Sequence, residues 1–294
     1  MKLKIFLAGI LTACVTTFAA ETCLGGSKVS TAEVQKALSG ILSNAKVVSV
    51  SDSPIQGLYE VVIQSGDRKV PIYMDCNLKY LVNGEIIDVN KRVSLTRERM
   101  QQLQAQVNSE KEAKLAKILG KDKVEMLKKE GLIELISIVD VKNLPKPNVT
   151  YGNGENIVYV LTDPQCPFCA KLHKEIEKVL SSRKDVKFEM IFYPLPMHNH
   201  AKGISENIEC QKDNATKQNM LNKSFDNVLS RNESGLSALD KPCTNSKSII
   251  ENNIKFAQSV GINGTPTMIF PKKAVAVSGA IPAETLNKLI DILK

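Results

Sequence analysis

The chain has 294 residues, 43% hydrophobic and 24% charged, with no tryptophan, 5% aromatic residues and a formal charge of +8. That length fills two ordinary domains, and the composition excludes a chain that is disordered throughout. Setting aside Lys2 and Lys4 with a removable leader leaves +6, spread in mixed-sign stretches that mark a solvated surface and not a nucleic-acid site.

Residues 1–20, MKLKIFLAGILTACVTTFAA, place lysines ahead of an apolar run that is too short to span a bilayer. Small residues follow at Ala19 and Ala20, the layout of an export signal, although Phe18 is larger than an A-x-A cleavage site prefers. The expected location is the periplasm. Leu11-Thr12-Ala13-Cys14 offers an alternative, a lipobox whose lipidated Cys14 would anchor the mature chain. Either cut leaves Cys23, Cys76, Cys166, Cys169, Cys210 and Cys243, and an even number of thiols in an oxidising compartment points to disulfides. Nothing after residue 20 is apolar and long enough for a transmembrane helix.

Residues 21–92 read as a small α+β domain. Ser30 and Glu33 form a capping box that opens a helix with Val34, Ala37, Leu38, Ile41 and Leu42 at helical spacing. Strands are expected over 46–50, 59–64, 69–74 and 85–89, with Asn83-Gly84 as a hairpin turn. Residues 93–145 read as a helical linker, rich in Gln, Lys and Glu and interrupted at Gly120 and Gly131. Leu144-Pro145-Lys146-Pro147 then breaks the chain. From 146 to 294 the pattern alternates: a buried strand at 156–161, a helix from Cys166, a strand at 187–193, a helical insertion over about 198–260, paired strands at 267–270 and 274–277, and a last helix over 282–293.

The chemistry concentrates in Asp163-Pro164-Gln165-Cys166-Pro167-Phe168-Cys169-Ala170-Lys171-Leu172-His173, between a strand and an amphipathic helix. A cysteine at a helix N-terminus faces unpaired N–H groups and the positive end of the macrodipole, which stabilise its thiolate. This predicts an accessible, acidic Cys166 as nucleophile and a buried Cys169 as the thiol that resolves a mixed disulfide. Haem attachment would need histidine where Ala170 stands. Structural zinc would need a second ligand pair, and Cys210 and Cys243 form no second CxxC. No metal or cofactor is implied. His173 is expected on the helix surface. Phe168 offers Cys166 no hydrogen bond, unlike a histidine in that slot, so neighbours in space would have to compensate. Gly264-Thr265-Pro266-Thr267, just before a strand, suggests a cis Thr265-Pro266 bond that leaves backbone free to pair with an extended substrate.

With these motifs in hand, the C-terminal half resembles a thioredoxin-like α/β domain with a helical insertion. The whole layout, a small α+β domain, a helical linker and then TDPQCPFCAKLH and GTPT, resembles the periplasmic DsbC/DsbG family of disulfide isomerases. The resemblance implies a homodimer formed through the first domain around an uncharged cleft. It assigns Cys166 as nucleophile, Cys169 as resolver, Thr265 and Pro266 as substrate-backbone contacts, and Cys210–Cys243 as a structural bridge. Two departures stand out: a longer linker, and Cys23 and Cys76, which offer an extra disulfide in the first domain. Isomerisation of non-native disulfides in periplasmic proteins is the expected function, with an inner-membrane electron donor of the DsbD type as partner. The alternatives are an oxidase or a reductase of single thiols, or a holdase chaperone with secondary thiol chemistry.

Overall fold

The computed structural model describes residues 29–42, 45–66 and 68–294. The leader, Cys14 and Cys23 therefore lie outside the described residues. Two compact units divide at Val107 and Asn108, a division that falls inside the long helix α2 (Leu95–Leu119).

Among the described residues of the first unit the earliest element is α1 (Thr31–Leu38), where Ser30 and Glu33 make the expected capping box. An antiparallel meander follows, β1 (Lys46–Asp52), β2 (Leu58–Ser65), β3 (Arg68–Asp75) and β4 (Leu81–Val82), paired in that order. Strand periodicity separates its two faces. Tyr59, Val61, Ile72 and Met74 meet Val34 and Leu38 of α1 in one core. On the opposite face, Glu60 pairs with Arg99 of α2 at 2.7 Å, and the Tyr73 and Thr96 hydroxyls lie 2.7 Å apart. The strand expected over 85–89 shrinks to β5 (Ile87–Asp88), paired among the described residues with β6 (Val93–Ser94). Asn83-Gly84 is not a hairpin turn: β4 pairs with β3 and β5 with β6, so these residues link two sheets. Cys76 is disulfide-bonded.

The second unit holds a six-stranded sheet. In chain order its strands are β7 (Ile136–Ile138), β8 (Val149–Gly152), β9 (Asn156–Thr162), β10 (Val186–Phe192), β11 (Thr267–Phe270) and β12 (Val275–Ser278). They lie in the order β7-β12-β11-β9-β10-β8, with β9 and β10 parallel and every other pairing antiparallel. The stretch around Ile136 is thus a strand and not the end of a helical linker. Helices α3 (Lys121–Lys129), α4 (Pro167–Ser182) and α9 (Ala283–Leu293) bury Leu127, Leu172, Ile176 and Leu289 in the same core as Val158, Val160, Phe188 and Met268. On the other face Leu161, Ile269 and Ala276 meet Phe256 and Ala257 of α8 (Thr244–Ser259). The insertion comprises α5 (Ala201–Glu209), α6 (Asn214–Leu229), α7 (Glu233–Leu239) and α8. At the free edge of β8, the Thr150 N–H and C=O bond to the Asn214 side chain at 2.9 Å each, and Gln218 also donates to that carbonyl. Among the described residues no helix is long and apolar enough to cross a membrane.

Candidate active site

β9 brings the chain to the end of the sheet at Thr162, and Asp163, which has no exposed surface, turns it into α4. The Asp163 carboxylate organises that turn. One oxygen accepts the Gln165 N–H at 2.7 Å; the other accepts the Leu195 N–H at 2.7 Å and faces His198 Nδ1 at 2.8 Å. The Asp163 carbonyl accepts the Cys166 N–H at 3.1 Å. Cys166 is the extended N-cap of α4 and Pro167 takes the first helical position, where a missing N–H costs nothing.

Cys166 and Cys169 are both free thiols. Both are also buried, with 4% and 2% of their surface exposed, so accessibility does not separate them as the sequence suggested. Acidity does. Cys166 is lowered to about 6, foremost by the hydrogen bond from the Cys169 thiol, against the cost of burial and with help from the Cys169 and Phe168 N–H groups and Thr265. Cys169 is pushed well above the usual thiol range, first by burial and then by the neighbouring Cys166 sulfur. The helix terminus and the second thiol together favour a single negative charge on the first sulfur.

The Thr265-Pro266 peptide bond is cis, as its position before β11 suggested. It lies against the cysteines: Cys166 Sγ donates to the Thr265 carbonyl at 3.7 Å across 99 residues of sequence. Cys210 and Cys243 form a disulfide that joins the C-cap of α5 to the N-cap of α8. His173 is not a surface residue. It is 2% exposed, wedged between Tyr151 and Phe225, and its Nε2 lies 2.9 Å from Asn222 Oδ1. Burial holds its pKa below the ordinary value. Its place on α4, one turn after Cys169 and one before Glu177, turns it toward α6 instead of solvent.

Sequence reasoning passed over Asp163, His198 and His200 as members of the site. The Gln165 side chain accepts the His200 N–H at 2.7 Å, and the His200 ring lies 2.8 Å from Asp240 and 2.9 Å from Glu233. These contacts raise the pKa of His200, with Asp240 the largest cause, and Asp163 raises that of His198 in the same way. Asp163 lay in view inside the motif, three residues before Cys166. The histidine contacts span 35 residues from Asp163 and from Gln165, and no local pattern announces them.

Comparisons with known proteins fit this arrangement. A thioredoxin-like domain model matches residues 147–294, and a disulfide bond isomerase protein N-terminal domain model matches residues 25–97. A probable thiol:disulfide interchange protein DsbC of Bordetella parapertussis is 23% identical over 241 residues, covering 82% of this chain and 67% of that one. The crystal structure of Pseudomonas aeruginosa DsbA2 is 24% identical and covers 52% of this chain and 97% of its own, with a TM-score of 0.43. Proteus mirabilis ScsC in a transitional conformation is 17% identical over 67% of this chain and 97% of its own, with a TM-score of 0.42. A thioredoxin-like match over half of the residues, preceded by an isomerase-type N-terminal domain, means that this chain belongs to the thioredoxin-like family as a DsbC-like member.

Proposed function

We propose that the protein is an exported thiol:disulfide interchange enzyme that isomerises or reduces non-native disulfides in periplasmic proteins. The observation that carries this reading is the placement of two free thiols, Cys166 at the N-cap of α4 and Cys169 one turn in, against the cis Thr265-Pro266 bond, an arrangement that lowers the first thiol and raises the second. Cys166 attacks as thiolate. The substrate either rearranges while attached or is released when Cys169 attacks the mixed disulfide. Thr265 and Pro266 present backbone to an extended substrate beside the Cys166 sulfur. Phe168 and Met197 are the most exposed large apolar side chains of the second unit, at 59% and 76%, and both are close in sequence to site residues, which suits unfolded polypeptide as substrate.

The same reading includes a homodimer formed through the first domain, which keeps a misfolded chain bound while its thiols exchange. Turnover as an isomerase needs Cys166 kept reduced, hence an inner-membrane electron donor of the DsbD type. The leader directs export, with lipidation at Cys14 as the alternative to a soluble form.

Replacing Cys166 with serine should abolish the rescue of a scrambled multi-disulfide protein. Replacing Cys169 with serine should accumulate a mixed disulfide through Cys166, visible by non-reducing electrophoresis and peptide mapping. A mixed disulfide through any other cysteine overturns the assignment. The double Cys166→Ser, Cys169→Ser variant separates the chaperone reading, which predicts undiminished suppression of aggregation together with full refolding assistance.

A further inference from the structure

Cys169 has to act as a nucleophile from a place that disfavours its thiolate: its sulfur is buried beside that of Cys166, and both facts raise its pKa. A donor aimed at that sulfur offsets the cost, and Asp163 supplies one. The Asp163 N–H donates to Cys169 Sγ at 3.4 Å, and the Asp163 carbonyl accepts the Cys166 N–H at 3.1 Å. The main chain of one residue thus touches both members of the redox pair, and its N–H opposes the upward shift of Cys169.

The side chain determines where that N–H points. Asp163 has no exposed surface, and its two oxygens accept the Gln165 and Leu195 N–H groups, each at 2.7 Å, with His198 Nδ1 at 2.8 Å from the second oxygen. The first contact closes the turn into α4, and the others tie that turn to the loop after β10. An asparagine would close the turn as well, but an acceptor-only carboxylate satisfies donors on both oxygens, which accounts for a buried charge at this position. The rest of the turn has anchors of its own: the Ser224 hydroxyl donates to the Pro164 carbonyl at 2.8 Å, and the His200 N–H to the Gln165 side chain at 2.7 Å.

We propose that Asp163 is the positioning residue of the resolving step: its carboxylate, braced between the turn into α4 and the loop after β10, holds its own N–H on the Cys169 sulfur. The inference rests on the reading that Cys166 attacks and Cys169 resolves. In the first step the Cys166 thiolate bonds to one substrate sulfur, the substrate S–S bond breaks, and the other sulfur leaves as a thiolate. In the second, the Cys169 proton passes to solvent and the Cys169 thiolate attacks Cys166 Sγ. The Cys166–Cys169 disulfide forms and the retained substrate sulfur leaves as a thiolate, so the dithiol is oxidised by two electrons and the substrate disulfide is reduced. Cys169 carries charge in the second step alone, and that is where the Asp163 N–H acts. The groups that hold Cys166 as a thiolate, namely the Cys169 thiol, the Cys169 and Phe168 N–H groups and Thr265, do not include Asp163.

Asp163→Asn tests this because it keeps the shape of the side chain, yet whichever way the amide sits its NH2 meets an N–H, from Gln165 or from Leu195. Reduced full-length protein mixed with one equivalent of the chromogenic disulfide dithiobis(nitrobenzoate) reports both steps in a single stopped-flow trace, because attack and resolution each release one coloured thiolate. In Asp163→Asn the second phase should slow about tenfold, the loss expected for a hydrogen bond to a charged atom, while the first stays within about threefold. An unchanged second phase overturns the proposal, and so does equal slowing of both phases, the result a merely structural aspartate would give. If Asp163→Asn fails to fold, amide hydrogen exchange of the reduced protein decides. The Asp163 amide should exchange about tenfold faster in Cys169→Ala, which removes its acceptor, and equal exchange overturns the proposal. Failure of the underlying functional reading looks different: Cys169→Ser would then keep the second phase, whatever Asp163→Asn does.

Discussion

Cys166 and Cys169 lie one helical turn apart, yet their acidities move in opposite directions. Reduced protein should therefore react with iodoacetamide at Cys166 alone between pH 5 and 8, with a midpoint near 6, and mass spectrometry of the labelled peptide checks this. Labelling of Cys169 at a comparable rate would contradict the assignment. The depressed pKa is also a statement about folding. The folded thiol titrates near 6 and an ordinary thiol near 9, so the thiolate stabilises the reduced fold fully above 9 and loses that contribution as pH falls through 6. The span corresponds to a contribution on the order of 3–4 kcal/mol. Denaturant melts of the reduced protein against Cys166→Ser should diverge as pH rises from 6 to 9 and converge at pH 5. His200 has the opposite sign. Its raised pKa gives stability that is complete below the ordinary histidine value and fades as pH rises through the higher folded value. At this scale the two cysteines and Thr265-Pro266 were legible because each sits in a local motif. His198 was not, because its partner lies across the fold, and His173 was misjudged because a polar residue type gave no hint of the Tyr151 and Phe225 rings around it.

Strands β9 and β10 and helices α4 and α9 were readable because each is long enough for its apolar period to register. β7 and β8 were not. Ile136–Ile138 is three residues long and follows a helix-forming stretch, while Val149–Gly152 is four residues after a proline-rich break. Both exist as strands because of distant partners, β12 for the first and β10 for the second. Long-range pairing of this kind also governs the insertion. The Cys210–Cys243 bridge closes a 33-residue separation between the end of α5 and the start of α8. By loop entropy it contributes about 3–4 kcal/mol. Cys210→Ala with Cys243→Ala should lower the urea midpoint accordingly while leaving the Cys166 alkylation rate within about twofold; collapse of that rate would mean that the insertion shapes the redox site itself.

Residues ahead of the proline-rich break belong to the core of the second unit. Leu115, Leu119, Val124, Leu127, Leu132 and Ile136 share a cluster with Leu172 and Leu289, so a fragment starting at Pro147 would lack both an edge strand and part of its interior. The fragment Asn108–Lys294 is the better test of the role of the first domain. It should reduce a small disulfide substrate at the rate of the full chain, run as a monomer in gel filtration, and fail to rescue a scrambled multi-disulfide protein. Refolding by that fragment at the full-length rate would remove the need for a dimer-held substrate.

The edges of the six-stranded sheet bear on the company this protein keeps. An unpaired strand edge is a template on which another extended chain can add, and an enzyme that handles unfolded polypeptide meets such chains continually. Here one edge is β7, only three residues long, and at the other Asn214 and Gln218 occupy the backbone groups of Thr150. In the second unit the backbone that the proposed function offers to a client is therefore the Thr265-Pro266 segment beside Cys166 and not a sheet edge. Under that proposal a client is released once its sulfur is freed, with no added strand holding it to the six-stranded sheet.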